Sequence, residues 1–475
     1  MKKVKLLFII AILTIVPAAA QKFSPEQVKQ DFGIFRKSLE ETHPGLYRFT
    51  TKQWVDSAFA STAANIHDSL SQQEFYRLLA PLVARIKCGH TKFFPQSDVN
   101  LNHFHYFYDT TKLFPLKLFF TEGKVQLAGS YNESFDKQYY GAEVLTINGE
   151  SLPTIREKLM TLIPSDGNIV SSKILELNNY FPAWYANFIS APDSFQIDLL
   201  LKDGSKARMN LNPVTLNTIN MQIKAGQNSN LVNFSLYFPE SNMALMKIRN
   251  FYPTSPKDDY KQFLKESFLQ IKNNKTEHLI IDLRDNEGGM DRWGALLYSY
   301  LTDKKFSYYR ELRLSGIKFT TEPYLDKPRF FGILKILVRK KDGKYYWTRH
   351  KNLKIQKPQR DPYKGKVYVL VNGNSYSVTA EFAAIAKSNN RALFLGQETG
   401  GAFEGNNSGT FAFVNLPHSK LTLAIPMLAY YLDVKPVNPM DRGILPDYYI
   451  PQVLDGKDKE PDFVVDFIRN NRENQ

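Results

Sequence analysis

The feature that most constrains this chain is an alternation between residues 243 and 396. Leu279, Ile280, Ile281 and Leu283 form an almost unbroken apolar run in HLIIDLRDN. A strand exposed on one face alternates polar and apolar residues, so a continuous run predicts a strand covered on both faces. It is flanked by a strand at MALMKIRNF, a helix over 258–272, a helix over 290–301, a strand at VYVLVN, a helix over 378–388 and a strand at ALFLG. Strand and helix in strict turn predict βαβ units and a largely parallel sheet, an α/β core.

Two other regions precede this core. Ser24-Pro25 offers a cap followed by proline at a first helical position, and Val28, Phe32, Phe35 and Leu39 recur at helical spacing until His43-Pro44-Gly45. Further helices are predicted over 54–66 and 72–86, giving a helical N-terminal domain. From Phe114 the period shortens. PLKLFF, KVQLAG and GAEVLTINGESL read as strands with an Asn148-Gly149 turn, followed by a helix over 153–162 and strands over 195–201 and 206–211. The expected organisation is a leader at 1–20, a helical domain at 21–107, a β-rich module at 108–210 and the core at 211–475. Within the core, residues 304–365 are basic and aromatic and lack apolar regularity, which predicts a surface excursion or a lid near the active site.

Lys2, Lys3 and Lys5, the apolar run Leu6–Val16, Pro17 and Ala18-Ala19-Ala20 form the pattern of a cleaved secretory signal, with cleavage after Ala20. Export to the periplasm or beyond follows, with no stable membrane insertion afterwards. A single cysteine, Cys88, excludes an internal disulfide. The formal charge of +14 is spread along the chain. Together with export, this argues against a nucleic-acid partner and for a solvated basic surface. No Cys/His cluster or HExxH string appears, so neither a metal nor a cofactor is expected.

Three strings carry candidate chemistry. In NSYSVTAEF, Ser377 lies between a buried strand and a helix, where the free N–H of Val378 is available to a developing oxyanion. Taken locally, a serine there reads first as a helix N-cap. In DLRDNEGGM, paired glycines at a strand-to-helix turn let the backbone approach a ligand, and Gly288 or Gly289 is the candidate second donor. In IKCGHTKF, His90 follows a helix end and is the candidate base.

Taken together and in this order, these strings resemble the C-terminal processing, or tail-specific, serine peptidases, in their tricorn-core-like branch. DLRDNEGG matches DLRxNxGG, VNGNSYSVTAEF with NNRALFLGQETGG matches the serine-helix-strand stretch, IKCGHT matches IxDGHT, and MDRGILPD resembles xEGxGVxPD. GAEVLTINGESL resembles the end of the PDZ-like domain of these proteins. The resemblance implies a multi-domain α/β fold with a Clp protease/crotonase-like core and a PDZ-like module that captures peptide. It implies Ser377 as nucleophile, with Ser375 the competitor, His90 as general base, and an oxyanion hole at Val378 and Gly288 or Gly289. Asp441 would be an acidic residue that helps orient the site. The lysine of the other branch is absent from TGGAFEG, and Cys88 replaces the usual Asp. The implied activity is hydrolysis of peptides or unfolded proteins through an acyl-enzyme. The rival readings are a silent peptide-binding protein of the same fold and an esterase-type hydrolase.

Overall fold

A computed structural model describes residues 21–95, 110–121, 123–132, 134–226, 231–329, 331–436, 439–454 and 460–472. The expected leader, its cleavage point and the 107/108 boundary lie outside the described residues.

Helices α1 (Pro25–Thr42), α2 (Lys52–Ala64) and α3 (Gln72–Arg85) open the chain. α1 and α3 begin with full capping boxes, in which Ser24 and Ser71 exchange hydrogen bonds with Gln27 and Glu74. Their buried faces join Phe32, Phe35, Phe59, Phe75 and Phe93 in the main hydrophobic core. The helical region is therefore built onto the α/β core rather than beside it.

The β-rich module is an antiparallel sheet of strands 116–120, 125–130, 143–147, 195–200 and 206–211, with 150–151 paired to 143–147. Helix α4 (Leu152–Met160) matches expectation. Helix α5 (Ser171–Phe188) was not predicted. It has no side-chain cap at its start, and it kinks at Tyr180 (φ −133°, ψ 20°) ahead of Pro182, so both start and period are obscured. Phe114, Phe181, Tyr185 and Phe195 pack edge to face or tilted between α5 and the sheet. A further helix, α6 (Leu216–Gly226), leads to the core.

The central sheet runs 234–240, 243–248, 278–282, 366–371, 393–396, 448–449, parallel throughout except for the first pair. Residues alternate between its faces. Leu279, Ile281, Val367, Val369 and Val371 face the main core. Ile280, Tyr368 and Leu370 face a second cluster with Val464, Val465 and Ile468 of α11 (Glu460–Arg472). Both faces are covered, as the continuous apolar run requires. α7 (Tyr260–Asn273), α8 (Asp291–Ser299) and α10 (Val378–Ser388) follow their strands as expected.

The segment 304–365 is not a loose excursion. Strand 309–314 and the hairpin 338–341/344–347, which follows the short helix α9 (Phe331–Leu337), belong to a second, antiparallel sheet with 92–95, 325–326, 407–415 and 421–432. Tyr308, Tyr309 and Leu312 are fully buried, and the Tyr309 hydroxyl donates to Glu381 on α10 at 2.7 Å. The apolar contacts are spread over a twisted antiparallel strand and its turns, which hides them from a simple periodicity count.

Candidate active site

The turn 372–377 joins strand 366–371 to α10 and is fixed from within. Ser375 Oγ donates to the Leu283 carbonyl (2.9 Å) and accepts from Asn372 N–H (3.0 Å). Ser375 is fully buried, so its hydroxyl is a rivet between two strands. Ser377 is different. It holds φ 54°, ψ −124° and makes no capping hydrogen bond, although it occupies the N-cap position of α10. A left-handed φ is uncommon and costly outside glycine. A serine that accepts that cost without capping has its side chain turned elsewhere, here into a cavity of about 490 Å³.

The glycine turn packs directly against it. Gly288 (φ +99°) leaves no room for a side chain: a Cβ would lie 2.8 Å from Ser377 Cβ and 2.8 Å from the Val378 nitrogen. Gly288 N–H is already given to Asn286 Oδ1 (3.0 Å), and its carbonyl accepts from Phe251 (2.9 Å). The N–H groups of Gly289 and Val378 have no acceptor among the described residues.

His90 enters from the N-terminal helices. After α3 the chain turns through Lys87 (φ +58°) and buried Cys88, then continues into strand 92–95 on strand 421–432. Buried His43 steadies this loop, its Nε2 lying 3.0 Å from Thr91 Oγ1. Burial pushes the Cys88 thiol up to about 11, so it serves as packing and not as a reactive thiol. His90 and Ser377 line the same cavity, without a hydrogen bond between them. The His90 ring stacks on Tyr376 (4.6 Å between centroids, 25° between planes), and its Nδ1 lies 2.9 Å from the Tyr376 hydroxyl. Burial, followed by the charge of Lys92, lowers its pKa to about 3, so the imidazole is neutral at ordinary pH.

Sequence reasoning missed two members. Tyr376 Oη also donates to Asp166 Oδ1 (3.3 Å), which accepts Gly89 N–H at 2.8 Å. Burial raises the Asp166 carboxyl to about 6. Tyr376 sat in view within NSYSVTAEF, but nothing local distinguishes its hydroxyl. Asp166 lies in Pro164-Ser165-Asp166-Gly167, which reads as an ordinary turn. The carboxylate expected near the base, Asp441, bonds instead to Asn168, through both its side chain and its carbonyl (2.8 Å to Asn168 N). It is not among the residues lining the cavity. Nor is any residue of 304–365, so that segment forms no lid here. Much of the remaining wall comes from α3 and α5, where Tyr76, Val83, Tyr180 and Trp184 alternate with the polar Glu176 and Asn179, so the cavity is mixed in character.

Comparison with known proteins adds three findings. The model of peptidase family S41 matches residues 242–450, which include the glycine turn and Ser377. A tail-specific protease of Haemophilus influenzae is 25% identical over 226 residues, 46% of this chain and 27% of its own length. The chain thus spans about a quarter of that relative. Mature CPAF superposes with a TM-score of 0.62 at 14% identity, covering 90% of this chain and 93% of that one. CPAF complexed with lactacystin gives 0.63 at 14%, covering 95% and 99%. The CPAF likenesses show a shared fold that extends beyond the matched domain to the helical region and the β-rich module.

Proposed function

Since the chain belongs to peptidase family S41, which includes the C-terminal processing, or tail-specific, peptidases, we propose that it hydrolyses peptide bonds with Ser377 as nucleophile and His90 as general base. One observation carries the reading. A strained serine that caps nothing shares a cavity with a neutral histidine from a distant part of the chain, beside two backbone N–H groups without acceptors among the described residues.

The chemistry follows from these positions. His90 Nε2 takes the proton as Ser377 Oγ attacks the carbonyl carbon. The N–H groups of Val378 and Gly289 stabilise the oxyanion, each contributing about 3–4 kcal/mol. Gly288 assists by letting the two turns meet and not as a donor, because its N–H is already engaged. His90 then protonates the leaving amine, and water hydrolyses the acyl-enzyme with His90 again as base. The mixed walls contributed by α3 and α5, with the rings of Tyr76, Tyr180 and Trp184 beside Glu176 and Asn179, suit a peptide drawn from an unfolded segment or tail. That α5 of the β-rich module lines the cavity supports a role for this module in holding such a segment. The leader pattern at 1–20 supports a site of action outside the cytoplasm.

The test is an active-site probe. A fluorophosphonate should label the wild type, and the label should vanish in Ser377→Ala and His90→Ala while an unstructured protein is cleaved only by the wild type. Folded wild type that takes no label would leave the silent binding protein standing. Ester cleavage without any peptide cleavage would leave the esterase.

A further inference from the structure

We propose that Tyr376 and Asp166 are positioning residues forming a relay that holds His90 in the tautomer able to accept a proton from Ser377. The proposal rests on the Ser377–His90 reading above. In the relay, His90 Nδ1–H donates to the Tyr376 oxygen, the Tyr376 O–H donates to Asp166, and Nε2 keeps its lone pair.

The geometry leaves few alternatives. The Tyr376 hydroxyl has one proton and two neighbours, His90 Nδ1 at 2.9 Å and Asp166 Oδ1 at 3.3 Å. A carboxylate is a stronger acceptor than a neutral imidazole nitrogen. The proton therefore goes to Asp166, and the tyrosine oxygen is left to accept from Nδ1. Burial, with Asp166 alongside, holds the phenol well above its ordinary pKa, so the proton stays on tyrosine. Asp166 is itself held by Gly89 N–H at 2.8 Å, while its Oδ2 is buried without a partner among the described residues. Glycine at 89 is required for the arrangement, because a Cβ there would sit 2.4 Å from the Tyr376 hydroxyl.

The relay also answers a problem the burial creates. A histidine whose charged form is strongly disfavoured must still become imidazolium during the reaction. The nearby cations oppose or ignore that charge: Lys92 acts directly against it, and Arg48 acts on Asp166. Asp166, linked through Tyr376, is the carboxylate tied to the ring by hydrogen bonds, while Glu287 acts on the tyrosine. When Asp166 is protonated it weakens as an acceptor, the Tyr376 proton turns to Nδ1, and the Nε2 lone pair is lost to the opposite tautomer. Burial keeps that switch near mild acid, at about 6.

The experiment uses the whole chain and an unstructured protein or fluorogenic peptide. Tyr376→Phe keeps the stacked ring and removes only the oxygen; Asp166→Asn keeps the shape and removes the charge. Each should lower kcat about 10- to 100-fold, the loss of one hydrogen bond to a charged group, with KM little changed. The wild-type acid limb of kcat/KM should fall near pH 6 and should leave that region in Asp166→Asn. Tyr376→Phe activity within twofold of wild type, or an unmoved acid limb in Asp166→Asn, would overturn the relay. Should Tyr376→Phe not fold, the Asp166→Asn profile decides alone. Ser377→Ala and His90→Ala run alongside. If they keep the label, the parent reading fails; if they lose it while the relay variants behave as wild type, only the relay fails.

Discussion

Ser377 is held against its own backbone preference, and that has a measurable consequence. At φ 54°, ψ −124° a residue with a Cβ bears strain of order 1–3 kcal/mol. Glycine at the same position bears almost none but loses about 0.5–1 kcal/mol more chain entropy on folding. Ser377→Gly should therefore be about 0.5–2 kcal/mol more stable than Ser377→Ala. Both variants lack the nucleophile, so the pair isolates the Cβ. Ser377→Ala itself should lie within about 0.5 kcal/mol of wild type, since the hydroxyl caps nothing. At about 2–4 °C per kcal/mol for a unit the size of the matched domain, the glycine variant should melt about 1–8 °C above the alanine variant. Calorimetry and urea unfolding on the two proteins in parallel are sufficient. A Ser377→Gly protein that melts at or below Ser377→Ala would show that the turn is not strained, and the argument from an uncapped serine would go with it.

Ser375→Ala should keep its activity while losing about 1–2 kcal/mol of stability, because two buried hydrogen bonds go with the hydroxyl; a dead but fully stable Ser375→Ala would exchange the roles of the two serines. Gly288→Ala should be destabilised by at least about 1–2 kcal/mol from its positive φ alone, and should lose roughly 10²–10³ in kcat as Val378 N–H is displaced; normal turnover would refute the tight contact. His43 and His90 are kept neutral by burial, with folded pKa values of about 3. Between the unfolded value near 6.5 and about 3, the unfolded chain binds protons that the folded chain does not, so stability is present above the unfolded pKa and falls as pH drops through this window. Urea midpoints from pH 7 to 4.5 should fall less steeply in His43→Gln than in wild type, and equal slopes would remove His43 from the explanation.

What was legible in the sequence depended on how local the cause was. The bounds of α10 are legible because Ser377 and Asn389 flank a helix rich in small and apolar residues, Phe382 to Ala386 being an unbroken apolar run. The start of α1 at Ser24 is legible for the same reason, whereas the Ser71–Glu74 capping box of α3 emerges only in the structure. α5 was invisible because its kink breaks the period that would reveal it. Ser377, His90 and the glycine turn stand in recognisable strings, and the fold brings those strings together. Tyr376 and Asp166 were missed because their roles exist only across separations of 286 and 210 positions. Gly89 and Gly167 look like turn residues in the sequence. Each is required by a contact made far away, with the Tyr376 hydroxyl and the Asp441 carbonyl respectively.

That last contact gives Asp441 a role different from the one its motif implies. Residues 166–168 are stitched on two sides: Gly167 N–H donates to the Lys87 carbonyl at 3.0 Å, and Asn168 N–H donates to the Asp441 carbonyl at 2.8 Å. Gly167 sits at φ +57°, where a Cβ would lie 2.3 Å from the Asp441 oxygen. Asp441 therefore reaches His90 only by holding the loop that presents Asp166, and it does so largely through its backbone. Asp441→Ala removes one partly solvated side-chain bond and keeps the carbonyl, so it should cost no more than about 1 kcal/mol of stability and less than tenfold in kcat. Gly167→Ala should be far worse on both counts, since strain and collision coincide. Asp166→Asn should lower kcat with little change in melting temperature. Kinetics and melts on the three variants separate a carboxylate that acts on the base from one that braces its neighbour. If Asp441→Ala is as inactive as His90→Ala, the motif's implication is right, Asp441 addresses the histidine directly during turnover, and the loop is not the route.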